Sequence, residues 1–343
     1  MADELATSLP LRAAATVAFA ALLSVLLIVL LRPLLVRYAL ARPNARSSHA
    51  IPTPQGGGIA VIAATIGAAF AAGHFWPGTA ALTGPLLATF AAAVLVAGVG
   101  AADDIRSMAV VPRLLLQALA VVVVIDALPH ELRIVAFLPW WVERVLLVLG
   151  GVWFVNLVNF MDGLDWMTVA EVVPVTAGVA LLGVAGGATP STVLVAVALF
   201  GAIIGFAPFN RPVARLFLGD VGSLPIGLIL GWLMLMLAGR DNLAAAVLLP
   251  LYYLADATIT LGRRLVRREP VWEAHRTHFY QRATDGGFSV EEIVARVFVL
   301  NLALAGLALI TAIEPDPHVD LVTVALGGAL VAWLLLTFQR GKR

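Results

Sequence analysis

The chain has no cysteine and few charged residues, and each shortage excludes a class of function. Without cysteine there are no disulfides, zinc–thiolate sites, iron–sulfur clusters or cysteine nucleophiles, so any metal must use oxygen or imidazole ligands. Charged residues make up 13% of the 343 residues, whereas soluble domains carry about 25%. The 22 Lys and Arg nearly balance the 21 Asp and Glu, so there is no basic excess of the kind that binds nucleic acid.

Hydrophobic residues make up 61% of the chain, and they occur in runs near the 20 residues that a membrane-spanning helix needs. The runs predict an all-α polytopic membrane protein with about 11 transmembrane helices, forming one membrane-embedded domain over residues 1–343. The expected spans are 13–31, 57–72, 80–99, 114–128, 145–160, 169–185, 191–208, 222–239, 243–262, 293–313 and 319–338.

The positions of the basic residues predict the orientation. With 11 spans, 18 of the 22 Lys and Arg fall on one side of the membrane, which should therefore be cytoplasmic. We expect an inner (plasma) membrane protein with its N-terminus outside and its C-terminus in the cytoplasm. The connections 32–56, 100–113 and 262–292 are the long ones on the cytoplasmic side. In the last, Ser289 and Glu292 have the spacing of a capping box, which predicts the start of the tenth helix.

Polar groups in or beside apolar segments are the most informative residues, since a charged side chain at a helix centre costs about 2.5–3.5 kcal/mol. Five places stand out, and all fall on the predicted cytoplasmic side, which predicts a single site there. They are the pair Asp103-Asp104, the repeat Asn156, Asn159, Asp162 and Asp165, the glycine-flanked Asp220, the pair His275 and His278, and the segment 47–58 with His49.

The repeat of three places Asn156 and Asn159 on a shared helix face, with Asp162 at its border. For the two amides alone, hydrogen bonding between helices is an equally good interpretation. The adjacent Asp103 and Asp104 oppose joint ionisation unless a cation is nearby. Mg²⁺ is the expected cation, because it prefers oxygen ligands and typically takes one or two carboxylates plus substrate phosphates.

The glycine-rich and histidine-bearing segments leave alternatives open. Asp220 lies between Gly219 and Gly222, which would allow close approach of a phosphate, or it is simply a turn residue. Gly56–Gly58 begins a helix whose free amides could bind an anion, and close helix packing is an equally good interpretation. The loop with His275 and His278 is either a pyrophosphate clamp or a solvated patch that faces lipid head groups.

Together these motifs resemble the polyprenyl-phosphate N-acetylhexosamine-1-phosphate transferases. The resemblance rests on Asp103-Asp104 after an apolar span, the segment from Asn156 to Asp165, Phe217-Leu-Gly-Asp-Val-Gly-Ser223 and the His-x-x-His loop, in this order. The His-x-x-His form is more similar to the branch that initiates O-antigen and other surface polysaccharides than to the cell-wall branch.

The resemblance implies Mg²⁺-dependent (or Mn²⁺-dependent) transfer of a sugar 1-phosphate from a UDP-N-acetylhexosamine to undecaprenyl phosphate, with release of UMP. A homodimer is possible, and the sequence does not decide the oligomeric state. The implied catalytic residues are Asp103, Asp104, His275 and His278. The implied substrate-binding residues are His49, Asn156, Asn159, Asp162, Asp165, Arg276 and Arg282, and the implied metal ligands are Asp220 and Asp162.

Two departures and two alternatives accompany this interpretation. Trp166 stands where many members of the family that the chain resembles have glycine. Ile51 stands where some members have lysine, and His49 would supply the phosphate contact of that lysine. One Asp of the pair could act as base or as covalent nucleophile, and we favour single displacement with Asp103 or Asp104 as base. The competing class is a lipid flippase or ion-coupled transporter, whose carboxylates should lie near mid-bilayer.

Overall fold

The computed structural model describes residues 2–41, 52–75, 82–270 and 275–342, with only the backbone for residues 2–9 and 41. Helices dominate these ranges, which confirms the all-α class. They are α1 (Ala2–Tyr38), α2 (Gly57–Phe75), α3 (Gly84–Ile105), α4 (Val110–Asp126), α5 (Trp140–Met161), α6 (Met167–Val184), α7 (Pro190–Phe206), α8 (Asp220–Ala238), α9 (Leu243–Leu248), α10 (Leu251–Val266), α11 (Phe279–Asp285), α12 (Val290–Ile313) and α13 (Pro317–Arg340). Two short strands, β1 (Leu40–Ala41) and β2 (Thr53–Pro54), pair antiparallel.

Within the described ranges, nine helices are long and apolar enough to cross a membrane: α1 from Pro10, α2, α3, α5, α6, α7, α8, α12 and α13. Helix α4 occupies another predicted span with 17 residues. The predicted span 243–262 is divided into α9 and α10 around Pro250, because proline lacks the N–H that would continue the helix. The multi-pass architecture is therefore confirmed, while the count of 11 stays a prediction.

The outer helices expose apolar side chains that water would disfavour and lipid would solvate. Leu22 on α1 is 70% exposed, and Leu321 and Trp333 on α13 are 69% and 62% exposed. Helix α8 is the opposite case, because 83% of the residues in its most apolar 18-residue stretch are buried. It packs against α2, α3 and α5. The fold therefore surrounds α8, whose first residue is Asp220, with other helices.

Glycines allow α2 to contact α8 along the backbone. A Cβ atom on Gly58 would lie 2.1 Å from the Cα of Gly222. The amides of Gly57 and Gly58 donate to the carbonyl oxygens of Phe217 and Leu218, both at 2.9 Å. Of the two interpretations of Gly56–Gly58, close packing is therefore the one that the structure supports, since these two amides already have backbone acceptors.

The connection predicted at 262–292 is partly helical. It contains the end of α10, the short α11 and the first residues of α12. The capping box at its end is confirmed, because the Glu292 amide donates to Ser289 Oγ at 3.2 Å and the Ser289 amide donates to Glu292 Oε2 at 2.8 Å. Helix α12 thus begins three residues earlier than the span predicted at 293.

Candidate functional site

A polar cavity of about 280 Å³ lies where α3 and α5 end and α8 begins. It brings together five of the residues that the sequence predicted for the site, and these are Asp104, Asn159, Asp162, Asp165 and Asp220. The other lining residues include Gln55, Asn210, Ser223 and Gln281. Three of the five places that the sequence singled out, the acidic pair, the repeat and Asp220, therefore meet at one end of the helix bundle. Gln55 belongs to a fourth, the segment 47–58, and the histidine pair does not line the cavity.

Asp104 holds the start of α8. Its Oδ1 accepts from the amide of Asp220 at 3.0 Å, and its Oδ2 accepts from the amide of Val221 at 3.1 Å. The N-cap position of α8 is Gly219, which has no side chain, so the carboxylate from α3 acts as the cap. The two helices approach closely, since a Cβ on Gly100 would lie 2.3 Å from the carbonyl carbon of Asp220. Both carboxylate oxygens of Asp104 are thus used to place Asp220.

Asp103 is not among the residues that line the cavity, although its carboxyl group lies close to that of Asp220. Its Oδ1 accepts from the amide of Met108 at 2.5 Å, and its Oδ2 accepts from Arg113 Nη1 at 2.9 Å. The same Arg113 nitrogen lies 4.0 Å from Asp220 Oδ2. Arg113 therefore brings a positive charge between two acids. In the sequence, Arg113 is only one of the 18 basic residues on the predicted cytoplasmic side, because its contact with two acids depends on how α4 packs.

The two asparagines of the repeat have different partners. Asn159 Nδ2 donates to Asp220 Oδ1 at 2.8 Å and to Ser223 Oγ at 2.9 Å, which places it in the cavity. Asn156 Nδ2 donates to Gln117 Oε1 on α4 at 2.7 Å. Helix α5 packs against both α4 and α8, so the roughly 60° between positions i and i+3 is enough to direct the two amides to different neighbours. Bonding between helices, the alternative left open, describes Asn156.

Asp162 and Asp165 follow the end of α5. Asp162 accepts a short hydrogen bond from the Thr168 hydroxyl. Burial, together with the charges of Asp220, Asp104 and Asp165, outweighs this bond and raises the pKa of Asp162 to about 8. Asp165 is buried, and its Oδ2 accepts from the amide of Ala214 at 2.9 Å. Asp165 thus ties the loop before α8 to the loop after α5.

Trp166, which departs from the family pattern, has a left-handed backbone with φ +62°. Glycine adopts this conformation without a steric penalty, which accounts for the glycine of many relatives. In this chain the Trp166 amide donates to Asn210 Oδ1 at 2.8 Å, and the indole Nε1 donates to the carbonyl oxygen of Ala207 at 2.7 Å. The same backbone shape is therefore kept with a large side chain.

His278 is not among the residues that line the cavity. The side chain is 2% exposed, and its Nδ1 lies 3.2 Å from Oδ1 of the fully buried Asp256 on α10. Asp256 also accepts from the amides of Phe279 and Tyr280, at 3.0 and 3.2 Å. Asp256 was missed by the sequence reasoning, although an acid inside the predicted span 243–262 is the same kind of signal that singled out the other acids. Together His278 and Asp256 fix the start of α11.

His275 stacks on His278 with 4.9 Å between ring centroids. Burial, helped by the neighbouring His278 and Arg264, lowers the pKa of His275 to about 4, so its imidazole is neutral near pH 7. Arg276 Nη2 lies 4.0 Å from Asp285 Oδ1, and Arg282 is exposed. The structure therefore does not bring the predicted clamp of His275, His278, Arg276 and Arg282 into the cavity lining. His49 lies outside the described residues.

Helix α11 instead reaches the cavity through Gln281. The Tyr280 hydroxyl donates to the carbonyl oxygen of Phe160 at 2.9 Å, which packs α11 on the C-terminal end of α5. A Cβ on Gly163 would lie 2.2 Å from that hydroxyl, so glycine is required for this contact. Gln281 lines the cavity, and its buried Oε1 has no hydrogen-bond partner among the residues that the structure describes.

The donor set of the cavity fits Mg²⁺ or Mn²⁺. In the described part of the chain, no three His, Asp or Glu side chains are arranged to hold a metal ion by themselves. Mg²⁺ does not need three, since it usually keeps several waters and takes one or two carboxylates plus substrate phosphates. Asp162 and Asp220 line a polar cavity with room for such waters and phosphates, and their oxygens suit this ion.

Comparison with known proteins agrees with this site. Residues 86–238, which include the acidic pair, the repeat and Asp220, match the model of glycosyl transferase family 4. A probable undecaprenyl-phosphate N-acetylglucosaminyl 1-phosphate transferase of Bacillus subtilis is 24% identical over 295 residues, covering 82% of this chain and 80% of that protein. Decaprenyl-phosphate N-acetylglucosaminephosphotransferase of Mycobacterium tuberculosis is 29% identical over 336 residues, covering 86% of this chain and 80% of that protein.

A third relative matches a shorter stretch. Phospho-N-acetylmuramoyl-pentapeptide-transferase of Moorella thermoacetica is 33% identical over 181 residues, covering 50% of this chain and 54% of that protein. These matches support the assignment of the chain to glycosyl transferase family 4.

Proposed function

We propose that this protein is a member of glycosyl transferase family 4 and that it transfers N-acetylhexosamine 1-phosphate from a UDP-sugar to undecaprenyl phosphate in a Mg²⁺-dependent reaction. The products would be UMP and a lipid-linked sugar that starts a surface polysaccharide such as O-antigen. Names of the relatives support a polyprenyl phosphate acceptor and a sugar phosphotransferase. The proposal also rests on how two cavities are arranged in the structure.

The observation that carries the proposal is an apolar cavity next to the polar one. It has a volume of about 200 Å³ and is lined by α4, α5 and α8, with Val121, Val155 and Gly227 among its residues. Val155 is four residues from Asn159, and Gly227 is four residues from Ser223, so the apolar cavity begins about one helical turn deeper. A phosphate on a long isoprenoid chain needs this pairing of a polar end and an apolar end.

The proposed chemistry is a single displacement. An oxygen of the acceptor phosphate attacks the sugar-linked phosphorus of the UDP-sugar, a new P–O bond forms, and the bond to the bridging oxygen breaks to release UMP. Arg113, which lies 4.0 Å from Asp220, would stabilise the charge on the transferring oxygens. When bound at Asp162 and Asp220, Mg²⁺ would supply further positive charge to the phosphates.

The hydrogen bonds suggest roles for the acidic pair that differ from a base. Asp104 accepts two backbone N–H groups, and Asp103 accepts from Met108 and Arg113. A base would have to break these bonds to receive a proton. We therefore assign Asp104 to the placement of Asp220 and Asp103 to the placement of Arg113. The acceptor phosphate, whose second pKa lies near neutrality, needs little help from a base.

For the donor, we assign Gln281 and Asn159 to the nucleotide-sugar side of the cavity. Gln281 lines the same cavity as Asn159, and its Oε1, which has no partner among the described residues, would accept from the ribose or uracil of a bound nucleotide. In this proposal His275 and His278 act indirectly, because they hold the helix that carries Gln281. The sugar itself, an N-acetylhexosamine, is proposed from the family resemblance.

We also propose that the site faces the cytoplasm across the inner membrane. Four arginines lie in or beside the connections α3–α4 and α7–α8, which adjoin the cavity: Arg106, Arg113, Arg211 and Arg215. The positive-inside rule expects such basic residues on a cytoplasmic face. UDP-sugars are cytoplasmic metabolites of the kind that such a face would meet. A homodimer stays a prediction.

The test is a UMP-release assay. Purified protein is incubated with undecaprenyl phosphate, Mg²⁺ and each of several UDP-sugars, and UMP and the lipid product are measured. We expect UMP only when both substrates are present, with a UDP-N-acetylhexosamine preferred, and none when Mg²⁺ is chelated. Lipid movement between leaflets without any UDP-sugar requirement would instead identify a flippase and refute the proposal.

A further inference from the structure

One side of α10 carries a polar residue at every fourth position. Tyr252, Asp256, Thr260 and Arg264 follow each other at steps of about 6 Å, and all four are buried. Polar and charged groups inside a membrane protein are costly unless they are paired, so their partners are informative. These four residues, the polar face of α10, are therefore expected to hold another part of the protein in place.

The partners of this face include the start of α11. Oδ1 of Asp256 accepts from the Thr260 hydroxyl at 3.2 Å and from the amide of Phe279 at 3.0 Å. Oδ2 accepts from the Tyr252 hydroxyl at 3.3 Å and from the amide of Tyr280 at 3.2 Å. Phe279 and Tyr280 are the first two residues of α11. Asp256 thus caps a helix to which it does not belong, while two hydroxyls of its own helix fix the carboxylate.

The two amides require a carboxylate at position 256. A backbone amide donates and never accepts, and one such amide meets each oxygen of Asp256, from Phe279 at Oδ1 and from Tyr280 at Oδ2. In an asparagine side chain one of these two positions would be an NH₂ group, which would face a backbone N–H in either orientation. A side chain of the same shape but without the second acceptor is therefore unfavourable here.

Helix α11 places Gln281, which directly follows the two capped residues, in the lining of the polar cavity. The helix has only seven residues, and isolated helices shorter than about 12–15 residues are marginally stable. Its position must therefore come from contacts with the rest of the protein. These are the cap by Asp256 and the bond from the Tyr280 hydroxyl to the carbonyl oxygen of Phe160 at 2.9 Å.

We propose that Asp256 is a positioning residue for the nucleotide-sugar half of the reaction, which caps α11 and thereby sets the place of Gln281 in the polar cavity. This inference rests on the proposed function, in which Gln281 binds the donor. Asp104 has the corresponding role for Asp220, because it caps α8 from α3. Loss of the carboxylate at 256 should therefore weaken the use of UDP-sugar and leave the use of lipid unchanged.

The kinetic test compares Asp256→Asn with wild type and with Glu171→Gln. Glu171 is a fully buried acid on α6 that accepts from Asn301 Nδ2 at 2.6 Å and lies outside the described lining of both cavities. Its variant is thus a matched change of a buried acid to an amide. We expect Asp256→Asn to raise the KM for the UDP-sugar about tenfold, which corresponds to about 1.4 kcal/mol, with the KM for undecaprenyl phosphate unchanged. Glu171→Gln should change neither.

A double-mutant cycle with Gln281→Ala separates positioning from a general structural role. If Asp256 acts through Gln281, Asp256→Asn should raise the UDP-sugar KM by less than about twofold when Gln281 is already alanine. Effects of the two changes that multiply in full would overturn the inference. An equal rise of both KM values in Asp256→Asn would overturn it as well.

A binding test separates this inference from the proposed reaction. UDP, the nucleotide part of the donor, should protect wild-type protein against heat and protect Asp256→Asn less, with no further loss when Gln281 is also alanine. If wild type releases no UMP yet shows this pattern, the proposed reaction fails and the positioning role stands. If wild type releases UMP and Asp256→Asn keeps both its UDP-sugar KM and its UDP protection, the role fails and the reaction stands. Absence of UDP protection in wild type would refute both.

Thr260→Val covers the case of an asparagine variant that does not fold. It keeps the carboxylate of Asp256 and removes one hydroxyl that fixes Oδ1. We expect the UDP-sugar KM to rise about two- to threefold and the lipid KM to stay the same, because one buried hydrogen bond is lost. A UDP-sugar KM equal to that of wild type in this variant would overturn the inference.

Discussion

Replacing Asp220 with asparagine should abolish turnover and metal protection without unfolding the protein. Asp104, Asp162 and Asp220 place three carboxylates on one cavity, and Arg113 is paired more closely with Asp103, at 2.9 Å, than with Asp220, at 4.0 Å. A bound Mg²⁺ would offset this negative charge. At a concentration 100 times its Kd, such a ligand stabilises the folded state by about 2.7 kcal/mol.

The asparagine variant removes the charge and keeps the local hydrogen bond. Its side-chain oxygen can still accept from Asn159 Nδ2, which bonds Asp220 Oδ1 at 2.8 Å. In the absence of metal we therefore expect unchanged or slightly higher stability, since one of several like charges is gone. With saturating Mg²⁺ we expect most of the wild-type protection of about 2.7 kcal/mol to be lost.

The assay is heat unfolding of purified protein with Mg²⁺ and with a chelator, paired with UMP release. Asp104→Ala is the control, because it removes the cap that holds the amides of Asp220 and Val221. Loss of a helix cap costs about 0.5–2 kcal/mol, so this variant should be less stable with and without Mg²⁺. An Asp220→Asn protein that keeps more than about a tenth of the wild-type rate, or full Mg²⁺ protection, would refute the ligand assignment.

Three further predictions address other parts of the site. Because the pKa of Asp162 is raised to about 8 and the metal needs the carboxylate, apparent Mg²⁺ affinity in a thermal-shift titration should rise as pH increases from 6 to 9; a flat profile would contradict this. His278→Ala should lower the free energy of unfolding by about 1–3 kcal/mol, since it leaves the buried Asp256 short of a partner; a variant as stable as wild type would contradict the anchoring role. In this cysteine-free chain, an impermeant thiol reagent should label intact cells at Phe137→Cys and not at Arg211→Cys; the reverse pattern would invert the proposed orientation.

The sequence was sufficient to predict the helical class, the transferase family and the convergence of the acids. These depend on long apolar runs and on motifs that are local in the chain. The family and enzyme class are confirmed by the comparisons, and the convergence of Asp104, Asp162 and Asp220 is confirmed by the cavity. The capping box at Ser289 is confirmed for the same reason, since all of its partners lie within one helical turn.

The division of labour within each motif was not predictable from the chain alone. Asp103 and Asp104 are adjacent, yet one bonds α4 and the other caps α8, because successive helical residues point about 100° apart. Asn156 and Asn159, three residues apart on α5, likewise bond side chains on different helices, α4 and α8. The contacts of Arg113 with Asp220 and of Asp256 with Phe279 were not predictable, because these partners come from elements that are distant in sequence.

The departure at Trp166 shows that a changed residue can preserve a site. The left-handed backbone at φ +62° costs a residue with a side chain about 1–2 kcal/mol relative to the usual conformation. The indole hydrogen bond to the Ala207 carbonyl contributes about 0.5–1.5 kcal/mol and can offset that cost, whereas the bond from the backbone amide to Asn210 would be made by glycine as well. Through these bonds and the contact of Asp165 with Ala214, the segment that carries Asp162 is tied to the loop that leads into Asp220. The spacing of these two carboxylates therefore depends on this loop contact, which the tryptophan retains by hydrogen bonding where glycine would retain it by conformational freedom.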